Sequence, residues 1–256
     1  MVIGGWLLTL LLAQPSVSAE YQRAQQLFAH NDLTGASAAV EESLRGDPDY
    51  VPSLILKARL SMIAGAMDVA ERSLRTASSS EPKNRQVRFL LGFCLYLEND
   101  FDDALTVLAA ADQNDARTML YTGLAHEGLG QDDAAAEAYR RAVSLDAANT
   151  EAHIAFGRLM RKQGKTEQAE RHIDEALKLS PGARDALYEK GQCQFDRGEY
   201  LKAAETGELA LAAKGPAPAE RDIRFLLTRA YFKAGNREMA AKHRAVFESL
   251  PMPLVR

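Results

Sequence analysis

Residues 150–183 read TEAHIAFGRLMRKQGKTEQAERHIDEALKLSPGA. Apolar side chains recur at helical spacing on both sides of Gly164: Ile154, Phe156, Leu159 and Met160 before it, then Ala169, Ile173, Ala176 and Leu177 after it. Glycine enters the left-handed backbone region freely, whereas other residues lose about 1–2 kcal/mol there. Pro181 stops the second run. The stretch predicts a helix, a tight turn and an antiparallel helix.

The same 34-residue pattern extends in both directions. Small residues recur at Ala24, Ala58, Gly92, Gly123, Gly157, Gly191 and Thr228, at intervals of 34, 34, 31, 34, 34 and 37. Asn31, Gly65, Asn99, Gly130, Gly164, Gly198 and Gly235 follow with the same intervals. So do Ala36, Ala70, Ala104, Ala135, Ala169, Ala203 and Ala240. Three registers sharing one irregular rhythm mark a repeat array. The first and last series let two helices approach closely, and the middle series turns the chain between them. Pro48 and Pro82 punctuate two further units as Pro181 does. No run alternates as a strand would, and hairpin turn pairs are missing.

This pattern resembles the tetratricopeptide repeat family, whose unit is a helix pair of the form W-x2-L-G-x2-Y…A-x3-F…P. Leu91-Gly92, Phe156-Gly157 and Leu227-Thr228 occupy the Leu-Gly step, Tyr231 the Tyr, and Tyr139 and Ile173 the large residue after the Ala. The Trp place holds residues such as Leu54, Met119 and Leu187. The resemblance implies an all-α fold, a right-handed α-solenoid of about seven helix-turn-helix repeats. We expect them at about 17–50, 51–84, 85–115, 116–149, 150–183, 184–220 and 221–254, a repeat domain over 20–256. The third is three residues short. The sixth is three residues long, with Lys214-Gly215-Pro216-Ala217-Pro218 in its extra loop and Gly207 where a large apolar residue usually packs. Bends are expected at both. Relatives usually end in an extra polar helix. Here Leu250-Pro251-Met252-Pro253-Leu254-Val255 follows the last repeat, so the tail either folds back over that end or leaves it open to dimerise.

Composition bounds the function. Of 256 residues, 46% are apolar and 26% charged, enough for a buried core. The 35 acidic against 31 basic residues leave a charge of −4, without the basic surplus of a nucleic-acid binder. Residues 2–13 are apolar or small, with Trp6 and Leu10-Leu11-Leu12 at their centre. Gln14 and Pro15 end that run, and Val17-Ser18-Ala19 offers small residues for a cut after Ala19. The expectation is a signal peptide over 1–19, with export to the periplasm or beyond. The stretch is shorter than the roughly 20 apolar residues of a bilayer span, so no transmembrane segment is expected after cleavage. Only the amino terminus supplies its positive charge, and a buried N-terminal helix is the alternative.

Cys94 and Cys193 fall at the same place in the third and sixth units. Stacked helices about 8–10 Å apart would separate them far beyond the roughly 7 Å between Cα atoms that a disulfide allows. Leu60, Ala125, Leu159 and Ala230 hold that place elsewhere, so both cysteines read as small buried residues. Candidate active sites fail in turn. Gly164-Lys165-Thr166 lacks the earlier glycine of a phosphate loop, and His126-Glu127 lacks the second His of a zinc-protease helix. No G-x-S-x-G occurs. His30, His126, His153, His172 and His243 do not pair at ligand spacing on one helix. No enzyme, cofactor or metal is expected.

The resemblance makes the first helix of each unit line a concave groove. Candidate partner-binding residues are Phe89, Phe93 and Tyr96 in the third unit and Leu120 and Leu124 in the fourth. They continue with Arg158 and Arg161, beside Lys162, in the fifth, and Tyr188 and Phe195 in the sixth. Phe225, Arg229 and Phe232 complete them in the seventh; the second unit offers Ile55, Arg59 and Met62. Whether the aromatic stripe is core or ligand-facing stays open at this point. The face grades from apolar to basic and aromatic, which suits a protein or peptide partner with an apolar and an acidic segment. The bland reading of the basic run is a solvated helix face. Some relatives hold a chaperone's C-terminal carboxylate with Lys and Asn. Tyr21, Gln25, Leu56, Gln86 and Leu90 stand at those places here, so that clamp is not expected. By family analogy the scaffold serves assembly of an envelope, pilus or secretion complex. The rival is a structural subunit that self-associates end to end through its last repeat.

Overall fold

The computed structural model describes residues 16–215 and 217–251. They form fourteen α-helices, and the chain divides into two compact units, one ending at Ala111 and the next beginning at Asp112.

The first unit holds α1 (Val17–Ala29), α2 (Leu33–Gly46), α3 (Val51–Ile63), α4 (Met67–Ser80), α5 (Arg85–Leu97) and α6 (Phe101–Ala109). Consecutive helices pair as α1–α2, α3–α4 and α5–α6, and α2 packs on α3 and α4 on α5. The second unit holds α7 (Ala116–Gly128), α8 (Asp132–Leu145), α9 (Thr150–Lys162), α10 (Thr166–Leu179), α11 (Arg184–Asp196), α12 (Tyr200–Ala212), α13 (Glu220–Lys233) and α14 (Arg237–Ser249). Here too consecutive helices pair, and α9, α11 and α13 each pack on the pair before them. The all-α class and the seven helix pairs are those the repeat pattern implies.

The turns explain the repeat. Asn31, Gly65, Asn99, Gly130, Gly164, Gly198 and Gly235 all have φ between 60° and 83°. Each reverses the chain after a first helix. At Gly164 the next N–H, of Lys165, reaches back to the Met160 carbonyl at 2.9 Å, closing the helix end. Side chains of Ser16, Asp32, Asn84, Asp115, Asn149 and Asn236 cap six of the helices, each worth about 1 kcal/mol.

Close packing explains the small residues. A Cβ on Gly92, Gly123 or Gly157 would come within 2.5–2.7 Å of Leu108, Tyr139 or Ile173 on the partner helix. Ala36, Ala70, Ala104, Ala135, Ala169 and Ala203 are fully buried on the second helices. The core of the first unit gathers Val40, Leu54, Leu56 and Val87. That of the second gathers Met119, Tyr139, Phe156 and Leu159, with a further cluster at Ile223, Leu226 and Leu227. At Gly207 the space left by the missing side chain is taken by Leu227, 2.8 Å from where a Cβ would lie.

The three-residue deletion comes out of the second helix of the third repeat. α6 has nine residues where the other second helices have thirteen or fourteen. Arg88 caps its end by donating to the Ala110 carbonyl at 2.6 Å, and the unit boundary follows at once. The three extra residues of the sixth repeat lie in the loop between α12 and α13. Cys94 and Cys193 are each buried as free thiols, and burial pushes them up to about 11 and about 12.

Residues 1–15, Pro216 and 252–256 lie outside the described residues. The expected signal segment is therefore seen only at its end, where Ser16 caps α1 and Val17, Ser18 and Ala19 form the first turn. Among the described residues no helix is long and apolar enough to cross a membrane.

Candidate partner-binding face

In the first unit, α1 and α3 with the start of α5 enclose a hollow of about 390 Å³. Its apolar wall is Val51, Pro52, Ile55 and Leu56, and Phe28 closes one side. The Arg59 guanidinium lies 4.9 Å from the centre of the Phe28 ring, a cation–π contact that holds it over the hollow. Among the described residues Arg59 makes no ion pair. Tyr21 stands edge-on to Tyr50 at 5.7 Å and accepts a hydrogen bond from the Gln25 amide at 2.8 Å. Opposite, the Asn84 amide donates to Glu81 at 2.7 Å, and Gln86 is exposed at the rim. Tyr21, Gln25, Leu56 and Gln86 thus line one pocket, from which Leu90 is absent; Arg59 is its cation, and Glu81, held by the Asn84 amide, is its carboxylate.

On α5, Phe89 and Phe93 stack nearly parallel at 6.3 Å, and Tyr96 meets Phe101 at 5.9 Å. All three α5 aromatics are half-buried. The stripe is part core and part surface.

The second unit differs from the sequence expectation in its charges. Glu127 on α7 accepts from Arg158 at 3.1 Å, from Lys162 and from the Tyr139 hydroxyl at 2.9 Å. Burial opposes the charge on Glu127, but these donors overcome it and hold the carboxyl below its usual range. Arg161 bonds Glu189 on α11 at 3.1 Å and Asp196 at 3.2 Å. Glu189 is buried, and burial pushes its carboxyl up against the pull of Arg161. Arg158, Arg161 and Lys162 therefore form an ion-pair ladder across α7, α9 and α11, with no cationic charge left over.

Leu120 is 1% exposed and sits in the core, where no partner reaches it, and Leu124 packs half-buried against the same cluster. Phe195 is buried beneath Arg229, whose guanidinium lies 4.3 Å from its ring and 5.4 Å from that of Phe225. Tyr188 is half-buried and accepts from the Gln192 amide at 2.6 Å. Phe225 and Phe232 are open to solvent at 46% and 62%. The repeat register places Glu127 on the same face as Leu120 and Leu124, but does not show its pairing with Arg158 and Lys162, and it does not single out Glu189 or Asp196. The signal for these pairs is a carboxylate on the first helix of the neighbouring repeat, 28 to 35 residues from each base: Glu127 for Arg158 and Lys162, and Glu189 for Arg161.

Among the described residues no three His, Cys, Asp or Glu side chains converge as a metal site would require. Buried His153 does meet half-buried His172. His153 Nδ1 lies 3.2 Å from His172 Nδ1, and the His153 Nε2–H donates to the Ala147 carbonyl at 3.2 Å. With that proton on Nε2, His172 is the donor in the pair. The His172 ring rests on Phe156 at 4.3 Å. This is a packing contact between α9 and α10.

Similarity to known proteins agrees with the helix pairs. Over 197 residues the chain is 27% identical to the CTR9 homolog of Arabidopsis thaliana, covering 73% of this chain and 18% of that protein. It thus spans under a fifth of that relative's length. A tetratricopeptide repeat protein from Parabacteroides merdae superposes with a TM-score of 0.70 at 15% identity, over 93% of this chain and 94% of that one. YrrB, described as a repeat protein of this family with an unusual peptide-binding site, superposes at 0.56 with 20% identity, over 68% of this chain and 92% of its own. Tetratricopeptide repeat profiles match residues 61–125, 99–152 and 154–218. Because these matches together span more than half of the chain, it belongs to the tetratricopeptide repeat family.

Proposed function

We propose that this protein is a non-enzymatic scaffold that holds a partner peptide in the α1–α3–α5 hollow, on the face made by the first helices of its first unit. The observation that carries the reading is Arg59, a guanidinium with no carboxylate of its own, poised over an apolar wall. A segment with an apolar residue beside a carboxylate satisfies both. The apolar side chain would rest on Val51, Pro52 and Ile55, and the carboxylate would meet Arg59 in a charge-assisted bond. Gln25 and Gln86 offer amides to the peptide backbone. The fold is one on which peptide recognition is common, and the YrrB description names such a site on a relative. The bases of α9 do not supply this preference, because they are already neutralised.

The setting we propose is outside the cytoplasm, in assembly of an envelope, pilus or secretion complex. Its support is the apolar run at 2–13 and the small residues before Glu20. A phosphatase fusion at Glu20 is expected to be active, and an inactive fusion retained in the cytoplasm would refute export.

The binding test is a panning of random peptides on the immobilised full chain. Panned on a chain carrying Arg237→Glu, which silences the α13–α14 face, recovered peptides should pair an acidic with an apolar residue, and Arg59→Ala should abolish their capture while circular dichroism stays unchanged. Peptides captured equally by the variant would place the site elsewhere.

A further inference from the structure

In the second unit, each helix pair except the last has the next first helix lying against it: α9 on α7–α8, α11 on α9–α10 and α13 on α11–α12. Nothing among the described residues covers the pair α13–α14. A hollow of about 370 Å³ opens there, floored by Phe232, Ala240 and Ala241 and rimmed by Arg229, Arg237 and Arg244.

Two features set this face apart. The first is its chemistry at a repeat position. Val40, Leu74, Leu108, Tyr139 and Ile173 stand at the place of Arg244, and each is at most 1% exposed. In the last repeat that interior place becomes an arginine exposed over 69% of its side chain. The second is the missing counter-charge. Arg244 has Glu248 at 2.7 Å, but Arg229 and Arg237 make no ion pair among the described residues, and no carboxylate lines the hollow. Phe232, open to solvent at 62%, joins Ala240 and Ala241 in the hollow's apolar floor.

We propose that this face is a docking site for an acidic amphipathic helix of a partner protein. The shape follows from the unit itself, where the equivalent groove is filled by a helix three times over. The small floor residues Ala240 and Ala241 let a helix backbone come close, and its apolar stripe would cover Phe232. Glutamates or aspartates flanking that stripe would meet Arg237, Arg229 and Arg244. A second copy of the same face is a poor occupant, because it would set arginine against arginine. This site is separate from the Arg59 hollow and stands or falls without it.

The test uses the full chain and a fluorescent helical peptide of about 18 residues, long enough for five turns. It carries a leucine stripe flanked by glutamates, with a twin in which lysines replace the glutamates. Anisotropy should show binding of the glutamate peptide, weakening as salt is raised, and no binding of the twin. Arg237→Glu and Phe232→Ser, both at exposed positions, should each weaken it about tenfold or more, while Arg59→Ala should leave it unchanged. Equal binding of both peptides, indifference to Arg237→Glu, or loss on Arg59→Ala would overturn the proposal. So would dimers in sedimentation velocity that Arg237→Glu dissolves, since the occupant would then be a second copy.

Discussion

The Arg161 guanidinium on α9 donates to Glu189 on α11 across 3.1 Å, and the carboxylate that receives it is buried. The bond ties first helices of adjacent repeats. Removing the cation strands a carboxylate in the interior, which costs about 3–5 kcal/mol for a buried pair. Arg161→Met should therefore destabilise the second unit by about 3 kcal/mol in urea denaturation. The double variant Arg161→Met, Glu189→Leu should recover much of the loss. A double variant as unstable as the sum would mean the two side chains act independently.

Glu127 neutralises Arg158 and Lys162. Glu127→Gln should free both bases and give α9 an affinity for acidic peptides that it lacks in the wild type, measured on a chain that also carries Arg237→Glu so that the α13–α14 face does not contribute. Peptide titrations at low and high salt would measure it. Unchanged binding in the variant would show that the ladder is not what silences these bases.

Two glycines should fail for different reasons. In Gly157→Ala the new Cβ meets Ile173 at 2.7 Å and the Ala169 carbonyl oxygen at 3.1 Å. Overpacking of that kind costs about 1–3 kcal/mol. Ala169→Leu should cost a similar amount at the same contact. In Gly164→Ala nothing lies within 4 Å of the new Cβ, but φ is +73°, so only the left-handed strain of about 1–2 kcal/mol remains. Gly164→Asn should recover part of it, whereas Gly157→Asn should be worse than Gly157→Ala. Equal ranking at both sites in thermal melts would contradict the packing argument.

The repeat rhythm was legible because its marks are backbone requirements. A left-handed turn and a close helix contact admit few residues, so Gly164 and Gly157 announce themselves without partners. The site was less legible. Arg158, Arg161 and Lys162 read as a basic run because a single helix does not reveal the carboxylates that face it from α7 and α11. Leu120 and Phe195 read as surface because repeat register gives a helix face but not its depth. Arg59 was one position among many until Phe28 and the Tyr21 side of α1 were seen to close a hollow around it.

Acid should loosen the α9–α10 contact. Burial, helped by His153 and Arg171 and opposed by Glu175, lowers His172 from 6.5 to about 4. The folded protein then binds fewer protons than the unfolded chain between those values, so stability is full above about pH 6.5 and falls as pH drops toward 4. His172→Gln should flatten that part of the pH profile of urea midpoints. A profile unchanged by the substitution would assign the acid sensitivity to other groups.

The start of α1 bears on export. Ser16 accepts from the Ala19 N–H at 3.1 Å, and the Val17 carbonyl accepts from the Ser43 hydroxyl at 3.0 Å. A chain beginning at Glu20 would lose both, and should be less stable than one beginning at Ser16 by about 1 kcal/mol. Mass spectrometry of the mature protein, with melts of the two chains, would check this. Equal stability would leave a cut after Ala19 without structural cost.

The most direct test of peptide binding is amide chemical-shift mapping on the nitrogen-15-labelled full chain, titrated with a short peptide that sets a leucine beside an aspartate. The expected result is a set of shifts centred on Tyr21, Ile55, Arg59 and Gln86, lost in Arg59→Ala and absent when asparagine replaces the aspartate. Shifts spread evenly over the chain, or none near Arg59, would contradict it.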